Sequence, residues 1–267
     1  MQINTIYNSS CQLMNDLPDG SVDLVVTSPP YYNLKSYSSW PTYKDHLDFI
    51  SEIIKECYRV LRPGGWICWN IQEYLPNPPK DKSEERTGTL PLLADTICIM
   101  RDLGFFYEKD IIWYKGKGTA TQKMFGTYPN PGLILISGLT EHIITARKQK
   151  GDFKKVVTDE IKSKSIISKK EWADWAVDLW DIQPVNSKKL AHPAPFPIEL
   201  PYRLIRLYSF VGDLVLDPFM GSGQTALAAK SCGRNYVGYE MNYEYYQNAL
   251  SRIKSDIDIG EDYDAIK

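Results

Sequence analysis

Residues 214–240 read LVLDPFMGSGQTALAAKSCGRNYVGYE, and this pattern predicts a strand, a tight turn, a helix and a second strand. Gly221 and Gly223 lie in the turn, where glycine lets the backbone bend sharply and approach a ligand closely. The helix after the turn would present free N–H groups at its start. Short apolar segments alternate with amphipathic helices through most of the remaining chain. The sequence therefore predicts an α/β fold, a doubly wound and mainly parallel sheet with helices on both faces.

The individual elements can be read from the same alternation. Strands are predicted at residues 22–27, 66–71, 109–114, 141–146, 213–217 and 235–240. Helices are predicted at about 45–61, 92–103, 197–210 and 224–232 and from 242 onward. The turn at residues 62–65, RPGG, should stop the first helix, and the Pro-rich residues 74–89 should form a solvated loop.

Length and composition are those of a globular protein. The 267 residues suffice for one large α/β domain, or for one domain with a small insertion. Five cysteines stand far apart without a C-x-x-C pair, so we expect reduced core residues and no metal site. The first ten residues lack signal-peptide features, and no apolar run approaches the ~20 residues of a membrane span. We therefore expect a cytoplasmic protein without a membrane partner.

Charge is distributed unevenly along the chain. The net charge is −2, but residues 115–171 contain twelve Lys or Arg against five Asp or Glu. The remainder of the chain is acidic, with 19 basic against 28 acidic residues. A basic segment in an acidic chain can follow the phosphates of a nucleic acid.

The glycine turn and a later acid form a predicted nucleoside site. Glu240 ends the strand that follows the turn, where a carboxylate can accept hydrogen bonds from both hydroxyls of a ribose. The turn lacks both the full G-x-G-x-x-G of dinucleotide enzymes and the lysine of a P-loop. This favours S-adenosylmethionine, which has an adenosine but no pyrophosphate, over NAD or ATP. The alternative is a tight turn with an unrelated acid downstream.

Residues 27–34, TSPPYYNL, follow a buried strand directly. Two prolines fix the backbone and remove two N–H donors, which leaves carbonyl groups without a ladder partner. An amino group conjugated to an aromatic ring needs acceptors that draw its N–H bonds out of the ring plane before its nitrogen can attack a methyl group. The Ser28 side chain and the Pro29 carbonyl could be these acceptors, with Tyr31 stacked on the ring. The alternative is a simple proline turn.

Together these motifs resemble the β class of the amino-type DNA methyltransferases. Their catalytic motif, [D/N/S]-P-P-[Y/F], matches Ser28, Pro29, Pro30 and Tyr31, and their F-x-G-x-G motif matches Phe219, Gly221 and Gly223. The catalytic motif precedes the cofactor motif, as in that class. The resemblance extends over nearly the whole chain through the segments LPDGSVDLVVTSPPY, LRPGG, IIWYK, DLWDIQP, HPAPFP, DPFMGSG and NYVGYE.

The resemblance implies a Rossmann-like fold, S-adenosylmethionine as cofactor, no metal and double-stranded DNA as substrate. It places the cofactor contacts at Asp217, Phe219, Gly221, Ser222, Gly223, Glu240 and Ser9. The family often has Gly-Asp where this chain has Asn8 and Ser9, so the contact of Ser9 is expected to be weak. Many members also carry a lysine where this chain has Phe196. The carboxylate-binding role of that lysine is therefore unassigned in this chain, and Ser187 and Lys188 are the candidates for it.

The target base is left open between two amino groups. Serine at the first motif position, after a threonine, resembles the N4-cytosine enzymes, whereas adenine enzymes of this class usually carry aspartate. N4 of cytosine is therefore favoured and N6 of adenine is the alternative. A third hypothesis, from another class of protein, is a nucleic-acid-binding protein with this fold and no catalysis.

The resemblance also suggests a domain organisation and partners. Residues 1–146 would form the catalytic half, 147–180 with the loop 115–132 a target-recognition insertion, and 181–267 the cofactor-binding half. A cognate restriction endonuclease and a second copy of the chain are the further partners it suggests. Trp172, Trp175 and Trp180 are expected in the core, and His192 is expected to be structural.

Overall fold

The computed structural model describes residues 1–32, 40–73, 89–116, 129–132, 136, 138–149, 155–185 and 196–255. The strands are β1 Thr5–Tyr7, β2 Val22–Thr27, β3 Leu61–Ile71, β4 Phe105–Tyr114, β5 Thr140–Lys148, β6 Leu179–Asp181, β7 Leu214–Asp217 and β8 Asn235–Tyr239. The helices are α1 Tyr43–Val60, α2 Leu92–Asp102, α3 Asp159–Lys164, α4 Lys169–Trp175, α5 Glu199–Tyr208, α6 Gln224–Ser231 and α7 Tyr243–Ser255.

The described strands form one mixed sheet of eight, in the order β1-β8-β7-β2-β3-β5-β4-β6. Strand β5 runs antiparallel to both of its neighbours, and the other pairings are parallel. This confirms the predicted mainly parallel sheet. Strands β2 and β7 are neighbours, and the chain continues from β2 toward β3 on one side and from β7 toward β8 on the other. Sheets of this class bind ligands at such a switch point, outside the carboxyl ends of the strands.

Two hydrophobic layers enclose the sheet because side chains alternate between the faces of each strand. Leu24 and Val26 of β2 belong to the layer that contains residues of α5 and α6. Val25, between them, belongs to the layer formed with α1 and α2. Every residue of β2 and of β7 is buried, so both strands are covered on both faces.

Helix α1 begins two residues earlier than predicted. Thr42 is its N-cap: the Thr42 side chain accepts a hydrogen bond from Asp45 N, and the Asp45 carboxylate accepts one from Thr42 N. This reciprocal pair satisfies two N–H groups that the helix itself cannot. The helix ends at Val60, as the RPGG turn indicated.

Two strands are longer than predicted because pairing continues past a bulge. The register of β3 on β2 shifts between Val22 and Leu24, so Val22 still pairs with Leu61 ahead of the turn. The register of β4 on β5 shifts between Tyr107 and Lys109, and pairing extends to Phe105. An apolar pattern alone does not reveal a strand that resumes beyond an irregular residue.

The sequence did not predict β1, α3, α4 or β6, which are short or polar. The expectation for the tryptophans was correct for Trp175 and Trp180, which are 5% and 1% exposed, and wrong for Trp172, which is 59% exposed. The expectation for the cysteines holds for Cys11, Cys57, Cys68 and Cys232, which are buried free thiols, and fails for Cys98, which is exposed.

Two lysines of the basic segment, Lys148 and Lys155, are already paired at the amino end of the sheet. Lys155 Nζ lies 2.7 Å from Asp23 Oδ1 and also pairs with Asp213, at the starts of β2 and β7. Lys148 Nζ donates to Leu61 O at 2.7 Å. Both lysines therefore contact the amino end of the sheet, opposite to the carboxyl ends of β2 and β7. The division into two halves and an insertion remains a prediction.

Within the ranges that are described, no helix is both long and apolar enough to cross a bilayer.

Candidate active site

A buried carboxylate joins the carboxyl ends of β2 and β7. Asp217 Oδ1 accepts hydrogen bonds from Thr27 Oγ1 at 2.5 Å and from Phe219 N at 3.0 Å. Asp217 Oδ2 accepts one from Thr225 Oγ1 at 2.6 Å, in the first turn of α6. Asp217 therefore fixes the glycine turn directly against the end of β2, which continues into Ser28.

Burial determines the ionisation of this group. Asp217 is fully buried, and desolvation raises its pKa from 3.8 to about 6, while its hydrogen bonds from Thr225, Thr27 and Phe219 oppose the rise. The folded protein therefore keeps the proton at a pH at which the unfolded chain has lost it. Stability should fall as the pH rises between these two values.

The Asp217→Asn variant is expected to remove this dependence on pH. A tenfold change in the ionisation constant corresponds to about 1.4 kcal/mol. The rise in pKa to about 6 therefore predicts that the wild type loses up to about 3 kcal/mol relative to the variant between about pH 4 and about pH 7. Urea unfolding of both proteins across this range measures the difference. Parallel curves for the two proteins would contradict the raised pKa.

The glycine turn has the geometry that its sequence predicts. Gly221 and Gly223 have φ values of 52° and 85°, in the region that favours glycine. A Cβ on Gly223 would also lie 3.2 Å from the Cβ of Ala249 in α7. Among the described residues no side chain caps α6 by a hydrogen bond, so its first N–H groups face the turn without a capping side chain.

Glu240 follows β8 and lies beside this turn. Glu240 Oε2 accepts a hydrogen bond from Gly221 N at 2.9 Å, and Oε1 accepts one from Asn242 N at 2.7 Å. Desolvation raises its pKa, and these two backbone donors oppose the rise. Each carboxylate oxygen retains acceptor capacity for a ligand hydroxyl.

The Ser28 hydroxyl belongs to a polar cluster of five side chains, Ser28, Tyr31, Asn70, Lys115 and Glu141. Ser28 Oγ lies 3.1 Å from Tyr31 Oη, and Tyr31 Oη donates to Glu141 Oε2 at 2.8 Å. Asn70 Nδ2 lies 2.7 Å from Glu141 Oε2 and 3.4 Å from Ser28 Oγ. Lys115 Nζ donates to Glu141 Oε1 at 2.8 Å. Asn70 and Glu141 are buried, at 2% and 8% exposure.

His46 of α1 fixes one of the two proline carbonyls. His46 Nε2 lies 3.1 Å from Pro30 O, and because a carbonyl can only accept, Nε2 carries the proton. Burial lowers the pKa of His46, which favours the neutral ring. The Pro30 carbonyl therefore anchors the segment to α1. This leaves the Pro29 carbonyl as the candidate for substrate contact.

The structure brings most of the sequence-predicted site residues to one edge of the sheet. Ser28, Pro29, Pro30 and Tyr31 follow β2, and Asp217 to Gly223 follow β7 in the neighbouring position. Phe219 is half-buried against Phe49 and Trp69, with ring centroids 6.1 and 6.2 Å away. Ser222 is buried, and its carbonyl accepts from Arg252.

Three predicted residues lie outside the described part of the chain: Ser187, Lys188 and His192. Ser9 is described; it is exposed and lies two residues beyond β1. The adjacent Asn8 Nδ2 donates to Glu240 O at 2.8 Å, which ties the end of β1 to the Glu240 backbone. Ser9 therefore follows a residue that is bonded to the backbone of the predicted ribose-binding Glu240.

Sequence reasoning missed Asn70, Glu141, Lys115 and His46. Asn70 and Glu141 come from β3 and β5, which are distant in sequence and become neighbours through the antiparallel pairing. One signal was available: an acidic residue, Glu141, begins the predicted strand 141–146, and a basic residue, Lys115, directly follows the predicted strand 109–114. Only knowledge of strand order could have connected it with Ser28.

Comparison with known proteins identifies the family. Residues 22–251 match the model of the DNA methylase family of N6 and N4 methyltransferases. The chain is 30% identical to the type II methyltransferase M.MthZI of Methanothermobacter thermautotrophicus over 96% of this chain and 78% of that protein. It is also 30% identical to the type II beta methyltransferase M.BslI of a Bacillus species over 94% of this chain, which is 27% of that longer protein.

A solved structure gives the same result. TTHA0409 of Thermus thermophilus, solved in complex with S-adenosyl-L-methionine, is similar with a TM-score of 0.79 and 32% identity over 96% of this chain and 95% of that one. The present chain belongs to the DNA methylase family. It is an S-adenosylmethionine-dependent DNA methyltransferase, and the family and cofactor expected from the sequence are confirmed.

Proposed function

We propose that the protein methylates the N4 amino group of cytosine in double-stranded DNA. The observation that carries this proposal is Ser28, a neutral hydroxyl acceptor, at the carboxyl end of β2 and next to the glycine turn of β7. A serine in this motif position is the feature of the N4-cytosine enzymes, as the resemblance implies. Adenine enzymes of the class usually carry aspartate there.

Two acceptors would orient the target amine. Ser28 Oγ and the Pro29 carbonyl each accept one N–H bond and draw the amine out of the ring plane, so that its lone pair becomes available for bond formation. S-adenosylmethionine supplies the electrophilic methyl group. Most of the acceleration would come from positioning and from exclusion of water. No strong general base is needed if the proton leaves after the methyl group has moved.

The residues of the glycine turn and Glu240 would bind different parts of the cofactor. Phe219, Gly221, Ser222 and Gly223 shape the pocket, and Glu240 accepts hydrogen bonds from the ribose hydroxyls. The arrangement fits the cofactor because the turn approaches closely and Glu240 has acceptor capacity left. Asp217 is buried with both oxygens engaged, so we infer that it acts on the cofactor through the turn that it fixes.

DNA would reach this edge by base flipping. The amino group is inaccessible in a duplex, so the target nucleotide must leave the stack, at a cost of a few kcal/mol. The ring of Tyr31 would regain part of this cost by stacking on the base. Strand β4 ends and β5 begins at the same edge of the sheet as Ser28. The loop 115–132, which follows β4 in the chain, is the segment that we propose contacts the DNA. A restriction endonuclease partner and a homodimer belong to this proposal as well.

Analysis of the product tests the base. Duplex DNA of mixed sequence is incubated with the protein and labelled S-adenosylmethionine, then digested to nucleosides and identified by mass spectrometry. We expect N4-methylcytosine. N6-methyladenine in its place would overturn the assignment of the base but not of the family.

The same experiment addresses the hypothesis of a silent binding protein. DNA that lacks the methyl label after incubation with every duplex tried, while the protein retains cofactor and DNA binding, would favour that hypothesis. Transfer of label to either base would exclude it.

A further inference from the structure

Proton positions within the polar cluster around Ser28 follow from its geometry. Glu141 accepts at both oxygens, from Lys115 at Oε1 and from Tyr31 and Asn70 at Oε2. A tyrosine hydroxyl has one hydrogen, and that of Tyr31 is donated to Glu141. In the 3.1 Å contact between Ser28 Oγ and Tyr31 Oη, Ser28 must therefore be the donor.

The orientation of Asn70 agrees with this assignment. Its Nδ2 lies 2.7 Å from Glu141 Oε2, and rotation of the amide would place its oxygen against the carboxylate instead. The remaining hydrogen of Nδ2 points toward Tyr31 Oη and Ser28 Oγ, at 3.2 and 3.4 Å. Asn70 is the donor in both contacts, so the Ser28 hydrogen stays available for donation to Tyr31.

We propose that Glu141 is a positioning residue of the reaction: through Tyr31 it turns the hydroxyl hydrogen of Ser28 away from the substrate, so that the Ser28 oxygen accepts from the target amine. This inference rests on the proposed acceptor role of Ser28. A serine hydroxyl can donate or accept, whereas an aspartate at the same position could only accept. Glu141 on β5 thus gives the serine motif the directionality that a carboxylate would have by itself.

Burial makes the cluster effective. Glu141 and Lys115 have side chains that are 11% and 14% exposed, so their ion pair is poorly screened by water. Hydrogen bonds to a charged group are stronger than neutral ones, and bonds in a chain polarise one another. The Ser28 hydrogen is therefore held in one direction before substrate arrives.

A double-mutant cycle with Glu141→Gln and Tyr31→Phe tests the inference. Both changes keep the shape of the side chain, and Tyr31→Phe retains the ring for stacking. We expect each single variant to lower the single-turnover rate of methyl transfer by about 10- to 100-fold, the range found when residues that orient metal-binding side chains are mutated. Because both act through one chain of hydrogen bonds, the double variant should be no more than a few-fold slower than the slower single variant.

Binding measurements separate positioning from a structural role. We expect the affinities for S-adenosylmethionine and for DNA to stay within about twofold of wild type, because the hydrogen-bond chain orients Ser28 for the reaction and does not hold either ligand. Calorimetry measures the first affinity and fluorescence anisotropy the second. The matched control is Glu108→Gln, a carboxylate of β4 that pairs with Arg147 near the other end of the sheet. The control should transfer methyl at the wild-type rate.

Three outcomes would overturn the inference: losses that multiply in the double variant, loss of cofactor affinity together with rate, or a wild-type rate for Tyr31→Phe. The last can be judged even if Glu141→Gln fails to fold. The target base is identified in a separate experiment, from the product of the wild-type protein. N6-methyladenine there would overturn the proposed base, and the role of Glu141 would still be decided by the methyl-transfer rates of these variants.

Discussion

The Ser28→Ala variant is expected to lose measurable methyl transfer, a decrease of at least about 100- to 1,000-fold, the size seen when one preorganised polar contact at a reacting group is removed. The substitution removes one of two proposed acceptors and leaves the Pro29 carbonyl in place. An amine held by one acceptor keeps its lone pair conjugated with the ring. Single-turnover transfer of labelled methyl from S-adenosylmethionine to DNA measures the rate.

The variant should bind the cofactor with nearly wild-type affinity, because Ser28 follows β2 whereas the glycine turn and Glu240 follow β7 and β8. The matched control is Ser21→Ala, just ahead of the same strand, where the serine hydroxyl donates to Pro18 O at 2.7 Å. This control should transfer methyl normally. An unchanged rate in Ser28→Ala would refute the role given to that side chain.

The two halves of the candidate site could be predicted because each depends on local sequence. A buried apolar run that ends in a proline or glycine turn marks the carboxyl end of a strand, and parallel strands gather such ends at one edge. Thr27 and Asp217 are the last residues of β2 and β7, and the 2.5 Å bond between their side chains shows how closely the two ends meet.

What the sequence did not reveal depends on pairing between distant segments. Glu141 lies close to Ser28 and Asn70 because β5 runs antiparallel beside β3. No sequence motif in β5 indicates that Glu141 lies near Ser28. Likewise, Lys155 was counted as part of a basic segment, but its contacts with Asp23 and Asp213 emerge from the sheet order. Charge along a chain predicts a field only for residues that are not already paired.

The Glu240→Gln variant is expected to bind S-adenosylmethionine more weakly by roughly 10- to 150-fold, which corresponds to the roughly 1.5–3 kcal/mol of one hydrogen bond to a charged group. A glutamine has one acceptor oxygen, and its NH2 group would face either Gly221 N or Asn242 N, which are both donors. The loss therefore affects both a ribose contact and the turn. Calorimetric titration with the cofactor measures it, and Glu244→Gln, an exposed carboxylate in the first turn of α7, is the matched control.

The pH dependence of cofactor binding gives an independent measurement of the same group. Ribose hydroxyls donate to the ionised carboxylate, so affinity falls as acid protonates Glu240. Desolvation raises the pKa of Glu240, and the fall should therefore begin at a higher pH than for an ordinary glutamate. The Glu240→Gln variant cannot be protonated in this way and should lack that part of the acid-induced decrease. If wild type and variant bind the cofactor equally well and lose affinity in parallel on acidification, Glu240 does not bind the ribose, and the cofactor site must be assigned to other residues around the glycine turn.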